Sequence, residues 1–135
     1  MADNNFAFVV QTDKNVSEAV VAVRKAAEAA KWSVLGGYDF DEILASKGFE
    51  QGAAIRSLDL CNAKHANDMI EKDQLTVLCM PCNVVVFATG GKTQIAAMKP
   101  GYVMPAMFPD GGDAMRDHAQ QVDEELQAIL TAAAS

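Results

Sequence analysis

Three cysteines, Cys61, Cys79 and Cys82, are the residues of this chain with the most chemistry to offer. Two of them fall in Leu78-Cys79-Met80-Pro81-Cys82-Asn83-Val84-Val85-Val86. A thiol attacks or ligates only as the thiolate, and a redox Cys-x-x-Cys places its first thiol at a helix N-terminus, where the dipole lowers the pKa. Here both flanks read as strand, and residues 79 and 82 would face opposite ways in a regular strand. Cys79 therefore reads as a small core hydrophobe. The stranger residues are Pro81, which cannot donate to a ladder, and Asn83, whose amide is costly in a Val-rich strand without a hydrogen-bond partner.

Cys61, His65, Cys79 and Cys82 together make four soft ligands of the kind zinc takes. Cys61 and His65 are four apart at the start of an expected helix and could share a face. Only one closely spaced cysteine pair is present, where a structural zinc site usually has two. A more specific pattern is the echo between Cys61-Asn62 and Cys82-Asn83, each at the end of a strand or a break in one. Asn62 has a structural job as a helix cap. Asn83 has none, and either clamps the backbone around Pro81 or binds a small ligand. The ligand-binding candidates are thus Cys61, Asn62, Pro81, Cys82 and Asn83. If the two thiols meet, they could take up a sulfur species or a metal ion.

Other polar residues read as structure. Asp39, Asp41 and Glu42 suit the first turn of a helix. Asp110 and Asp113 flank Gly111-Gly112 as turn and cap, Glu124-Glu125 reads as a solvated face, and His118 as a packed or solvent-edge histidine. No Ser-His-Asp set, glycine-rich phosphate loop or HExxH is present. Met98, Met104, Met107 and Met115, with Tyr102 and Phe108, read as a plug for one end of the core. They could also form an adaptable groove, a subunit interface or the bed of a flat cofactor such as haem. No cofactor is assigned.

The elements that must position these residues follow from period and caps. Phe6–Gln11 reads as a strand. Asn15 and Glu18 make a capping box ahead of an amphipathic helix over 16–31. Trp32–Tyr38 reads as a second strand weakened by Gly36-Gly37, and Asp39/Glu42 as a second capping box for a short helix ending at Lys47-Gly48. A third strand spans 54–60 and a helix 63–71, with Ala66, Met69 and Ile70 inward. Leu75–Met80 reads as the fourth strand and Cys82–Ala88 as the fifth, or as a continuation of the fourth past an irregularity at Pro81. Thr89-Gly90-Gly91-Lys92 is a hairpin turn into a strand over 93–98. An ordered loop over 99–112 leads to a terminal helix over 113–131, with 132–135 frayed. The order β-α-β-α-β-α-β-β-β-α implies one α+β domain over 1–135, a mixed or antiparallel sheet of about five or six strands with packed helices.

Composition sets the outer bounds. The chain has 135 residues, half of them hydrophobic, and a formal charge of −7. Acidity and the lack of a basic cluster argue against nucleic acid as partner. No apolar run is long enough for a membrane span. The start, Met1-Ala2-Asp3-Asn4-Asn5, lacks the features of a secretory signal. A cytoplasmic location is the default expectation, and an odd cysteine count argues against a disulfide framework.

With these features in place the chain resembles the DUF302 family, small bacterial and archaeal proteins named as a domain of unknown function. The resemblance runs almost end to end. It rests on the Val16 helix with Trp32-Ser33-Val34 after it, the segment from Phe40 to Phe49, Leu60-Cys61-Asn62-Ala63-Lys64 with Ala66, and Leu78 to Val86. Ala63 stands where the family usually has proline, and Cys79 and Met80 where it usually has leucines. The resemblance therefore implies a pairing of Cys61 with Cys82, and makes the Cys-x-x-Cys a local variation. It implies a compact α/β domain that forms a homodimer, and no settled reaction. The expected function is a small binding or accessory domain that handles a small ligand, thiol species or metal around Cys61/Asn62 and Cys82/Asn83. The alternatives are a thiol redox enzyme using Cys61 and Cys82, and a purely structural or interaction protein with buried cysteines.

Overall fold

Caps and turns set the elements as their chemistry requires. The Asn15 side chain accepts from the Glu18 N–H at 2.8 Å while the Glu18 carboxylate accepts from the Asn15 N–H at 2.9 Å, a complete capping box. It opens α1 (Val16–Ala29), which follows β1 (Ala7–Thr12). In the computed structural model, which describes residues 5–135, the chain continues through β2 (Ser33–Asp39), α2 (Phe40–Ser46), β3 (Ile55–Cys61) and α3 (Ala63–Lys72). A 3-10 segment, Gln74–Cys79, precedes β4 (Cys82–Thr89), β5 (Lys92–Met98), α4 (Pro100–Met107) and α5 (Gly112–Ala134). Most of the polar start read above, residues 1–4, lies outside the described residues. No helix among the described residues is long and apolar enough to cross a membrane.

The five strands form one sheet in the order β1-β5-β4-β3-β2, and every neighbouring pair is antiparallel. The β4–β5 turn uses Gly90 and Gly91 at φ 58° and 80°, the left-handed pair that a two-residue hairpin requires. β4 pairs with β3 so that Leu58 faces Val84 and Leu60 faces Cys82. Period-2 alternation then sends Leu58, Leu60, Val84, Val86 and Ile95 to the face covered by α1 and α5, where they meet Val23, Leu126 and Leu130 in the main core. On the opposite face Ile55, Val85 and Phe87 are half-buried and Tyr38 and Met98 are exposed. A smaller cluster of Met69, Met104, Met115 and Ala119 joins α3, α4 and the start of α5 beyond the end of the sheet, with Cys79, Met80 and Phe108 against it.

Five local expectations are corrected. Leu75–Met80 is not a strand. Beyond the Leu60–Cys82 row, β3 turns into α3 and β5 gives way to α4, so a continued strand would have no ladder partner. Asp73 winds the segment instead, accepting from the Leu75 N–H at 2.9 Å through its side chain and from the Thr76 hydroxyl at 2.7 Å through its carbonyl. Residues 99–112 are not simply a loop, since Pro100 sits in the first turn of α4, where its missing N–H costs nothing. Asp39 makes no cap bond; it pairs with Arg56 at 3.1 Å, while Asp41 accepts from the Ile55 N–H at 3.0 Å and from Arg56. The C-terminal alanines do not fray, and Ala133 is buried at the end of α5. Ile70 faces outward on α3, leaving Met69 as that helix's buried residue.

α4 is fastened to α5 by one buried carboxylate. Asp123, 3% exposed, accepts from the Gly101 N–H at 2.9 Å and from Gln127. A Cβ at Gly101 would run into Gln120 Oε1 and stand 3.0 Å from Asp123 Oδ2, so glycine permits the approach. Asp123→Ala leaves the Gly101 N–H without its partner and is expected to cost about 1–3 kcal/mol. Asp123→Asn, which keeps an acceptor, should cost less. Urea unfolding of the two variants measures the difference.

Candidate functional site

The two Cys-Asn pairs reach the same end of the sheet because β3 and β4 are antiparallel and in register. Cys61 is the last residue of β3 and Cys82 the first of β4, diagonal neighbours across the Leu60–Cys82 row. The chain leaves β3 through Asn62, whose Oδ1 accepts from the His65 N–H at 3.0 Å and caps α3. It enters β4 through a cis peptide bond at Met80-Pro81.

Around this junction lies a cavity of about 140 Å³. Cys61, Asn62, Pro81, Cys82 and Asn83 all line it, so the five candidates from separate parts of the sequence stand around one space. Trp32, Cys79 and the α3 residues His65, Ala66 and Met69 add to the wall, with Val103 and Met104 from α4. Asn83 is not an orphaned amide. Its Nδ2 donates to Asp59 Oδ1 at 3.1 Å across the β3–β4 pair. Cys79 is half-buried, and its thiol points at Met107 Sδ, 3.7 Å away.

All three thiols are free and all three are pushed toward the protonated form. Burial raises Cys61 and Cys79 above the ordinary thiol value, and burial with the neighbouring Cys61 and Cys79 pushes Cys82 up to about 12. Cys61 lies just before the N-terminus of α3, yet desolvation is what sets its direction. Among the described residues no group of three or more His, Cys, Asp or Glu side chains is arranged to hold a metal ion. The soft-ligand set Cys61, His65, Cys79 and Cys82 is thus not assembled as one, and His65 directs its ring nitrogens elsewhere.

Those nitrogens belong to a polar chain that sequence reading missed. His65 Nε2 lies 2.9 Å from Glu125 Oε2, and His65 Nδ1 lies 2.8 Å from His118 Nε2. Trp32 Nε1 donates to Glu125 Oε1 at 3.2 Å, and Lys72 Nζ stands 3.5 Å from His118 Nδ1. Glu125, read as part of a solvated face, is half-buried and tied to both His65 and Trp32. Burial pushes its carboxyl up, but the hydrogen bonds from His65 and Trp32 outweigh this and hold it below the usual glutamate range. His118 is held below the usual histidine range, first by burial and then by the charges of Lys72 and His65. One signal was available in the sequence. His118, Val122 and Glu125 are spaced to share a face of one helix.

The family description "Domain of unknown function DUF302" matches residues 8–133. Among solved structures, the crystal structure of an uncharacterised conserved DUF302 protein from Bacillus stearothermophilus is similar at a TM-score of 0.88 and 23% identity. The match covers 96% of this chain and 98% of that one. No curated protein matches the chain.

Thiol chemistry is the direct readout of the site. At neutral pH, Cys82 is expected to react with a maleimide at least about tenfold more slowly than Cys61 or Cys79, because the thiolate is the reacting form. Mass spectrometry of a labelling time course resolves the three. Cys82 reacting as fast as the others would contradict its burial and raised pKa.

Proposed function

The chain belongs to the DUF302 family, and on that footing we propose that it is a binding domain for a small, uncharged, polarisable ligand held at the end of the sheet. The observation that carries this reading is the lining of the cavity. Three cysteines and four methionines (Met69, Met80, Met98 and Met104) contribute to it, with Trp32, and no Lys, Arg, Asp or Glu does. A charged ligand would be stripped of water there without a counter-ion, which is expensive. Sulfur and aromatic carbon instead offer polarisable contact, and methionine adapts its shape. Asn62 and Asn83 place polar atoms at the edge of the cavity, suited to orienting one polar group of a mostly apolar molecule. Cys61 and Cys82 act in this reading as wall groups, and the protonated state of their thiols favours binding over thiol redox chemistry.

A second reading concerns assembly. The sheet face opposite α1 and α5 presents Tyr38, Val85, Phe87 and Met98, an apolar surface of the kind that pairs with a second copy of the chain. A homodimer through this face is expected to give twice the chain mass by light scattering. Phe87→Lys should shift it to the monomer, whereas an unchanged mass would count against the face.

Fragment binding tests the cavity. Thioanisole, added at pH 7.5, should produce a saturable change in Trp32 emission, since the only tryptophan lines the site. Benzoate of similar size should bind at least about tenfold more weakly, a difference of about 1.4 kcal/mol. Ala66→Phe, which fills the space from α3, should abolish the response. No saturation in the wild-type protein, or undiminished binding by Ala66→Phe, would defeat the reading.

A further inference from the structure

The cavity wall made by α3 is weakly held. Met69 is the only buried residue of that helix, and it belongs to the smaller cluster and not to the main core. The polar ties to α5 are His65, through His118 and Glu125, and Lys72, through His118. We propose that the His65–His118 contact is a proton-sensitive latch, which fixes α3 against α5 at neutral pH and releases that wall of the cavity in acid. The proposal rests on the reading of the cavity as a binding site, and supplies its regulation.

The donor order explains the sensitivity. With both rings neutral, Lys72 donates to His118 Nδ1, His118 Nε2–H donates to His65 Nδ1, and His65 Nε2–H donates to Glu125. This is the both-neutral arrangement in which each contact has one donor and one acceptor. A proton added to His118 leaves its Nε2–H donating to His65 but turns Nδ1 into an N–H facing the Lys72 ammonium 3.5 Å away, so the Lys72 contact is lost. Protonating both rings sets N–H against N–H across 2.8 Å and puts two positive charges side by side. Either step costs a contact between α3 and α5.

The surrounding charges set the pH window. His118 faces Lys64, His65, Asp68 and Lys72 from α3, and Glu125 lies on its own helix against His65. Trp32 joins from the segment before β2 without charge. Among these, Lys72, His65 and Lys64 lower the affinity of His118 for a proton and Asp68 raises it, with burial the largest cause of the lowering. Below pH 6.5, the ordinary histidine value, the unfolded chain therefore takes up a proton before the folded one does. The stability that neutral His118 contributes is present above that pH and is lost as pH falls through the lowered value.

Trp32 reports the latch without any ligand. Its ring lies 6.2 Å from that of His65 and its N–H is bonded to Glu125. Wild-type emission is expected to change on acidification with a midpoint below pH 6.5. At pH 5, amide exchange over 63–72, corrected for intrinsic rates, should accelerate at least about tenfold while α1 stays protected. His118→Gln, which can still donate to His65 but does not titrate, should remove the transition. Lys72→Gln, an exposed change with little risk to folding, should move the midpoint upward. No emission change above acid unfolding, the same midpoint in His118→Gln, or no shift in Lys72→Gln would each overturn the latch. Because these readouts need no ligand, a failed latch and a failed fragment titration give separable results.

Discussion

The register that sets Leu60 opposite Cys82 is the constraint on which the rest of the molecule depends. A slip of one residue would turn Val84 and Val86 away from α1 and α5 and put polar Asn83 into the core. The same register sets where the ladder ends. Beyond that row β3 gives way to α3 and β5 to α4, so backbone groups must pair within helical turns. Asn62 and Asp73 supply local caps for that change, and Pro100 tolerates it. The space left between the last row of the sheet and the helices that close it is the cavity. It is a consequence of the topology and not a gap in an otherwise regular core.

How much of this was legible in the sequence depends on the range of the interaction involved. The capping box at Asn15, the cap at Asn62 and the Gly90-Gly91 turn are local, and each was readable from a few residues. The apolar run over 75–80 was misread because strand propensity says nothing of whether a partner strand exists. Its exposure corrects the reading: Leu78 is 75% exposed while Thr76 is buried. α4 was read as a loop because prolines and glycines usually break helices. Here Gly101 is demanded by close contact with α5, which lies far along the chain. The convergence of Cys61, Asn62, Pro81, Cys82 and Asn83 on one space was suggested by the echo of two Cys-Asn pairs. The Glu125–His65–His118 chain was not, because His65 lies 53 and 60 residues before its two partners, on a different helix.

The polar chain and the cavity are complementary in their electrostatics. The protein is strongly acidic, yet Glu125 is satisfied by His65, Trp32 and Gln121 on the far side of the cavity wall. At the other end of β3, Asp39 and Asp41 are taken up by Arg56. Asp59, beside the cavity in β3, is instead held by the Asn83 amide at the cavity edge. His65 shows both aspects at once, its nitrogens turned to partners and its ring forming wall. The arrangement places the titratable His118 directly behind a residue of the cavity wall.

On the proposed binding reading, the burial of the thiols bears on the kinds of chemistry open to the cysteines. With burial pushing Cys82 up to about 12, its thiol stays protonated at neutral pH. A nucleophilic or redox cysteine requires the opposite bias, from a cation, a metal or an unopposed helix dipole. Cys61 stands closest to such a dipole, just ahead of α3, and burial still raises it. Lys72, the nearest cation to the histidine pair, sits in the last turn of α3 and acts on His118, not on a thiol. The same desolvation that suppresses the thiolates makes the sulfurs good contact surface for an uncharged guest. On the proposed binding reading, the echoed Cys-Asn pairs with protonated thiols serve recognition of shape and polarisability.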